Sequence, residues 1–193
     1  MRKVYVFDFD GTLTSRDTLL EFIRYACGTR AFALGFLRHA HLLVLMKLHL
    51  YPNWKAKQRI FSYFFKGIDL KAFDSLCQHF ANDNRHLLRP EGIRTLQQAK
   101  AEGAEVLIVS ASIDNWVQPF FPDACVLGTK VEVVDGCLTG RFLTKNCYGQ
   151  EKVNRILALY PDRSTYHLIA YGDSRGDKEL LSFADEPHFK PFR

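Results

Sequence analysis

The chain has 193 residues, 47% of them hydrophobic and 24% charged, and 26 Lys+Arg against 21 Asp+Glu give a net charge of +5. That length can bury a sizeable core in one domain or a domain with a small insertion, and the composition excludes a disordered or fibrous chain. Five scattered cysteines without a CxxC pair argue against a disulfide framework and predict a reduced, cytoplasmic protein; neither a signal peptide nor an apolar run long enough to cross a membrane is read from the pattern.

Residues 3–9 are β-branched and aromatic and predict a buried strand that runs into Asp8-Phe9-Asp10, followed at once by Gly-Thr. Along a strand, side chains alternate, so Asp8 and Asp10 point to one side and Phe9 to the other. Residues 15–85 then break the rhythm. They hold no convincing strand and predict three or four helices, punctuated at Gly28-Thr29, Tyr51-Pro52-Asn53 and Gly67-Ile68-Asp69.

This segment carries the excess charge, +6 from eleven Lys/Arg and five Asp/Glu. Between Phe22 and Ile68 there is no acidic residue, against eight Lys/Arg and ten aromatics. Two readings fit: a helical bundle with its basic residues in water, or a cap facing an anionic partner such as a phosphate or a lipid surface. His39 and His41 do not suggest zinc, because residues two apart on a helix project about 200° from each other.

After residue 85 a helix that Pro90 starts and Gly103 ends leads into a strand at 104–112, AEVLIVSAS. KVEVVDGCLTGRF predicts a hairpin turning at Asp135-Gly136. A helix at 151–160 precedes a strand at 165–174, TYHLIAYGDS. Strands alternating with helices predict an α/β fold, a Rossmann-like parallel sheet core (1–14 and 86–193) with a helical cap (15–85) inserted after the first strand.

In such sheets ligands sit beyond the carboxyl ends of the strands. Those ends gather Asp8, Asp10, Ser110 and Asp173, with Asp177 four residues on and Lys152 from a helix start. Carboxylates this crowded need a counter-ion, and oxygen-only ligands favour Mg²⁺. One carboxylate then serves as nucleophile while a second protonates the leaving oxygen; Ser110 and Lys152 meet the charge of a transferring phosphoryl group. Gly11 permits a sharp turn that presents backbone N–H groups to a phosphate. Asp177, Thr12, Ser112 and Asp114 also fit first-turn capping, and Cys147 has no nucleophile's task beside the aspartates.

DFDGTLT, VSAS, the lysine of CYGQEKV and GDSRGD resemble, in order and spacing, the four motifs of the haloacid-dehalogenase superfamily of phosphatases. The helical insertion is similar to the cap of its subfamily I, phosphoserine-phosphatase-like branch. The resemblance implies a phosphomonoester hydrolase. Asp8 would form an aspartyl-phosphate, and Asp10 would be general acid and then base. Ser110, Ala111, Gly11 and Lys152 would hold the phosphate. Mg²⁺ would sit on Asp8, Asp173 and the Asp10 carbonyl, supported by Asp177. Asp17 stands where phosphoserine phosphatases carry a substrate-side glutamate, and Ala111-Ser112 where they carry glycines. Both departures turn away from phosphoserine, while CYGQEKV, YGDSRGD and the apolar, basic cap are similar to members acting on lipid-linked phosphate headgroups. A phosphotransferase would use the same residues. A protein that merely binds an anionic membrane surface or nucleic acid would not need the intact set, so no nucleic-acid partner is expected.

Overall fold

The computed structural model describes residues 2–48 and 50–193. Its centre is a five-stranded, all-parallel sheet in the order β3-β2-β1-β6-β7, built from β1 (Arg2–Phe7), β2 (Glu105–Ile113), β3 (Cys125–Thr129), β6 (Tyr166–Gly172) and β7 (Glu186–Phe189). The chain steps outward from β1 through β2 to β3, then returns to the other side of β1 as β6. The switch point, where open α/β sheets bind ligands, therefore lies at the carboxyl ends of β1 and β6. This is the predicted α/β fold.

Alternation along β1 sorts its side chains onto two faces. Val4 and Val6 pack with Ile156 of α7 (Gln150–Leu159) and Leu180 of α8 (Lys178–Phe183). Tyr5 and Phe7 join the other core, together with Leu96 and Ala99 of α5 (Pro90–Ala101). That second core continues without a break into α1 (Thr18–Arg38), α3 (Asn53–Phe65) and α4 (Leu70–Asp83) through Phe22, Phe61, Phe65, Phe73 and Phe80. Phe22 stacks on Trp116 of the short α6 (Asp114–Val117), ring centroids 4.9 Å apart, so the inserted helices share their aromatic interior with the sheet domain.

One detail departs from expectation. Gly28 does not end a helix followed by a loop; with φ 78° and ψ 161° it kinks α1, which resumes at once and runs on to α2 (Ala40–Lys47). The Asp135-Gly136 hairpin forms as predicted, with positive φ at both residues (51° and 77°), joining β4 (Val131–Val134) to β5 (Cys137–Phe142). It does not extend the main sheet. It leans on the α3–α4 connection, where Gly67 N–H donates to Leu138 and Leu70 N–H to Gly136.

Candidate active site

Beyond Phe7 the chain leaves the strand in a wide turn over Phe9–Leu13. Phe9 drops into the core with no exposed surface, which frees Asp8 and Asp10 to face a cavity of about 670 Å³ at the strand ends. Gly11 makes the turn at φ 83°, and a Cβ there would lie 2.5 Å from Asp173 Oδ2. Its N–H donates to Thr14 Oγ1 (3.2 Å), so Gly11 makes room for Asp173 and does not offer its amide to a phosphate.

Asp8 is buried and held from both oxygens: Lys152 Nζ donates to Oδ1 (2.5 Å) and Thr12 Oγ1 to Oδ2 (3.0 Å). Lys152, 2% exposed, also donates to Asp177 Oδ1 (2.6 Å). Burial pushes the Asp8 carboxyl up further than Lys152 pulls it down. Burial alone would lower Lys152, but the Asp8 and Asp177 carboxylates outweigh it and hold the ammonium above its ordinary range. Burial likewise works against Asp177, yet Lys152 and Ser174 keep it below the usual carboxylate range. The triad sets one cation between two carboxylates, buried except where Asp8 and Lys152 line the cavity.

Asp10 sits in a different setting. Thr18 N–H (2.7 Å) and Oγ1 (2.6 Å) donate to Oδ1, and Ser112 Oγ (2.5 Å) to Oδ2. Thr18 belongs to the first turn of α1, so the inserted segment itself orients this carboxylate. Ser110 is fully buried and its Oγ accepts the Ser112 N–H (3.0 Å), leaving its hydroxyl proton to give. The Ala111 carbonyl accepts from Thr129 Oγ1 (2.9 Å) and from Lys57 Nζ of α3 (2.6 Å). Desolvation lowers half-buried Lys57, with Asp10 and Asp17 opposing. Asp17 caps α1 through the Leu19 N–H (3.0 Å) and lines the same cavity.

Asp8, Asp173 and Asp177 each bring a carboxylate oxygen within 4.8 Å of the others. Asp173 Oδ1 is buried and, among the described residues, has no hydrogen-bond partner, while Oδ2 pairs with the Arg193 guanidinium. An unpartnered buried carboxylate oxygen in an all-oxygen donor set fits a hard divalent cation such as Mg²⁺. The Asp10 carboxylate is committed to Thr18 and Ser112, so its share in such a site falls to its carbonyl. Asp177 Oδ2 is saturated by Ser174 Oγ (2.9 Å) and the N–H groups of Asp173 (3.1 Å) and Ser174 (3.0 Å); it braces the loop and Lys152.

Asp8, Asp10, Gly11, Asp17, Ser110, Ala111, Lys152 and Asp173 all line this one cavity, whereas Asp177 is buried behind it. Thr12 and Ser112 turn out to clamp the two aspartates. Asp114 lies elsewhere, beside Lys130 and Arg155 in a separate cleft. Thr18, Lys57 and Arg193 carried no motif; Lys57 is one of eight Lys/Arg in the acid-free run, and nothing local singles it out. Burial pushes the Cys147 thiol up to about 11, which leaves it a poor nucleophile. His39 is occupied with the Gly35 carbonyl (Nδ1, 2.8 Å) and the Tyr63 ring.

A parallel sheet with an oxygen-rich acidic site at its switch point defines a class of α/β enzymes, and comparison with known proteins narrows it. Residues 5–182 match the model of the haloacid dehalogenase-like hydrolases. The chain belongs to that family. It is 34% identical over 194 residues to protein CicA of Caulobacter vibrioides, covering 97% of this chain and 85% of that protein. A protein of unknown function from Bordetella pertussis Tohama I shares the fold at a TM-score of 0.82 and 20% identity, over 97% of this chain and 89% of the other. A phosphoserine phosphatase captured as a phospho-aspartyl intermediate analogue has a TM-score of 0.61 at 18% identity, over 95% and 83% of the two chains. The fold is that of the phosphoserine-phosphatase-like branch.

Proposed function

We propose that the protein is a Mg²⁺-dependent phosphomonoesterase that passes the phosphoryl group through Asp8. The observation that carries this reading is the unlike treatment of two carboxylates two residues apart. Asp8 is sealed beside Lys152, while Asp10 is aimed into the cavity by Thr18 and Ser112. The Asp8 carboxylate attacks phosphorus, the P–O bond to the alcohol breaks, and the departing oxygen takes the proton of Asp10. Asp10, now ionised, takes a proton from water, whose oxygen attacks phosphorus and releases phosphate and the Asp8 carboxylate. The Ser110 hydroxyl and the free N–H of Lys152 stabilise the equatorial oxygens. When bound at Asp8 and Asp173, Mg²⁺ offsets the negative charge gathered around the phosphoryl group.

Residues 15–85 serve as the cap over a core of 1–14 and 86–193. Leu19, Phe36, Leu43, Met46 and Ile60 make one side of the cavity apolar, and Asp17 and Lys57 supply its charged contacts. These walls leave room for the organic part of a small phosphomonoester or of a lipid-linked one. The outer face of the same helices favours an anionic lipid surface as partner: Leu37 and Leu50 are 74% and 72% exposed, and Leu34, Val44 and Leu48 more than half. No helix among the described residues is long and apolar enough to cross a membrane, so this contact is interfacial. The testing experiment measures phosphate release from p-nitrophenyl phosphate, phosphoserine and phosphatidylglycerophosphate in mixed micelles, with Mg²⁺ and with EDTA. Release that needs Mg²⁺ is expected, and silence on every substrate refutes the reading.

A further inference from the structure

A second cavity, about 850 Å³, opens between the first turn of α3 and the loop that carries β5 into α7. Asn53, Asn146 and Tyr148 line both cavities, so this groove begins where the catalytic cavity ends. Tyr148 is a fixed partition: its ring lies so close over Gly176 that a Cβ there would sit 2.5 Å from the ring edge. Trp54, in the first turn of α3 and 45% exposed, lines the same groove.

The polar groups of the groove are mainly side-chain amides, Asn53, Asn146, Gln150 and Asn154, beside Lys145; Gln150 Nε2 donates to Asn154 Oδ1 and Asn154 Nδ2 to Glu151, each at 3.3 Å. The acid on that wall, Glu151, is already paired with Arg155 (2.8 Å). One end of the Asn146 amide lies 3.3 Å from Thr129 Oγ1, which leaves the other end for the cavity.

We propose that this groove is a subsite for the organic part of the phosphomonoester, and that it takes a polyhydroxylated ring, a sugar or cyclitol phosphate. A hydroxyl both donates and accepts, and the side-chain amide is the neutral group that offers both in fixed geometry. A ring whose edges carry hydroxyls has apolar C–H faces, which match the faces of Trp54 and Tyr148. An alkyl chain would match the rings alone and gain nothing from the amides. The position of the phosphate rests on the phosphatase reading; the chemistry of the groove does not.

Trp54 and Trp116 are the two tryptophans of the chain, and Trp116 has no exposed surface. Acrylamide quenching of tryptophan fluorescence therefore reports Trp54 alone. In the Asp8→Asn variant, which removes the nucleophile, saturating glucose 6-phosphate or inositol 1-phosphate is expected to shield Trp54, and n-hexyl phosphate to leave it open. In the otherwise native enzyme, Trp54→Ala is expected to raise KM for the ring phosphate by about five- to tenfold at unchanged kcat, to spare ethyl phosphate, and to be largely rescued by Trp54→Phe. Equal or stronger shielding by hexyl phosphate or AMP overturns the proposal. So does the absence of shielding by ring phosphates while ethyl phosphate is still hydrolysed. If no phosphoester is hydrolysed but methyl glucoside still shields Trp54, the groove assignment stands and the phosphatase reading falls.

Discussion

Lys152 is the cation on which the buried part of the site depends, and replacing it with methionine keeps the stem while removing the charge. Its Nζ lies 2.5 Å from Asp8 and 2.6 Å from Asp177, and the three side chains are 2%, 7% and 0% exposed. Removing one member of such a set leaves an uncompensated buried charge, a cost of about 3–5 kcal/mol. For a chain of this size each kcal/mol moves Tm by about 2–4 °C, so a fall of roughly 6–20 °C is expected. Urea unfolding followed by circular dichroism in EDTA, so that no metal substitutes for the ammonium, measures it. Adding Asp8→Asn to Lys152→Met should recover about 1–3 kcal/mol, because the amide needs no counter-charge and the two sites are in direct contact. A loss below about 1 kcal/mol for Lys152→Met, or strict additivity in the double variant, refutes the idea that the triad is held by charge.

Gly11→Ala should fold with a loss of about 1–2 kcal/mol from its positive φ, yet lose turnover because the new Cβ displaces Asp173; thermal melts beside phosphate-release assays separate the two effects. Vesicle sedimentation should show the protein on anionic phosphatidylglycerol vesicles but not on neutral phosphatidylcholine, and Leu37→Ser with Leu48→Ser should abolish the contact without altering hydrolysis of p-nitrophenyl phosphate. The backbone N–H of Leu168, and next Arg163, hold Asp185 below the usual carboxylate range. A depressed folded pKa gives stability that is present above the unfolded value of about 3.9 and lost as pH falls through the folded one, so the advantage of the native chain over Asp185→Asn should vanish in strong acid.

The sheet was legible where strands are buried on both faces. β1, β2 and β6 are apolar runs bounded by turn signals, and each appears within a few residues of its expected bounds. The edge strands were not: β3 is five residues ending Gly-Thr, and β7, Glu-Pro-His-Phe, carries a proline and a charge, as exposed edges tolerate. Gly28 reads the same whether a helix stops or only kinks, because both need a positive φ. In the site, the convergence of Asp8, Asp10, Ser110, Lys152 and Asp173 was legible from their places at strand ends and a helix start. The roles of Thr12 and Ser112 were hidden behind local capping, which selects the same residue types. Thr18, Lys57 and Arg193 reach the site by tertiary packing alone, with no spacing to announce them. Gly11 was assigned through its amide, and it is the room for Asp173 that the fold demands.

The most direct measurement is acid-quenched intact-protein mass spectrometry with p-nitrophenyl phosphate and Mg²⁺, comparing the native chain with Asp10→Asn and Asp8→Asn. The account predicts a phosphoryl adduct on Asp8 that accumulates in Asp10→Asn, where the base that activates water is gone, and that is absent from Asp8→Asn. An adduct that survives Asp8→Asn, or steady turnover by that variant, contradicts it.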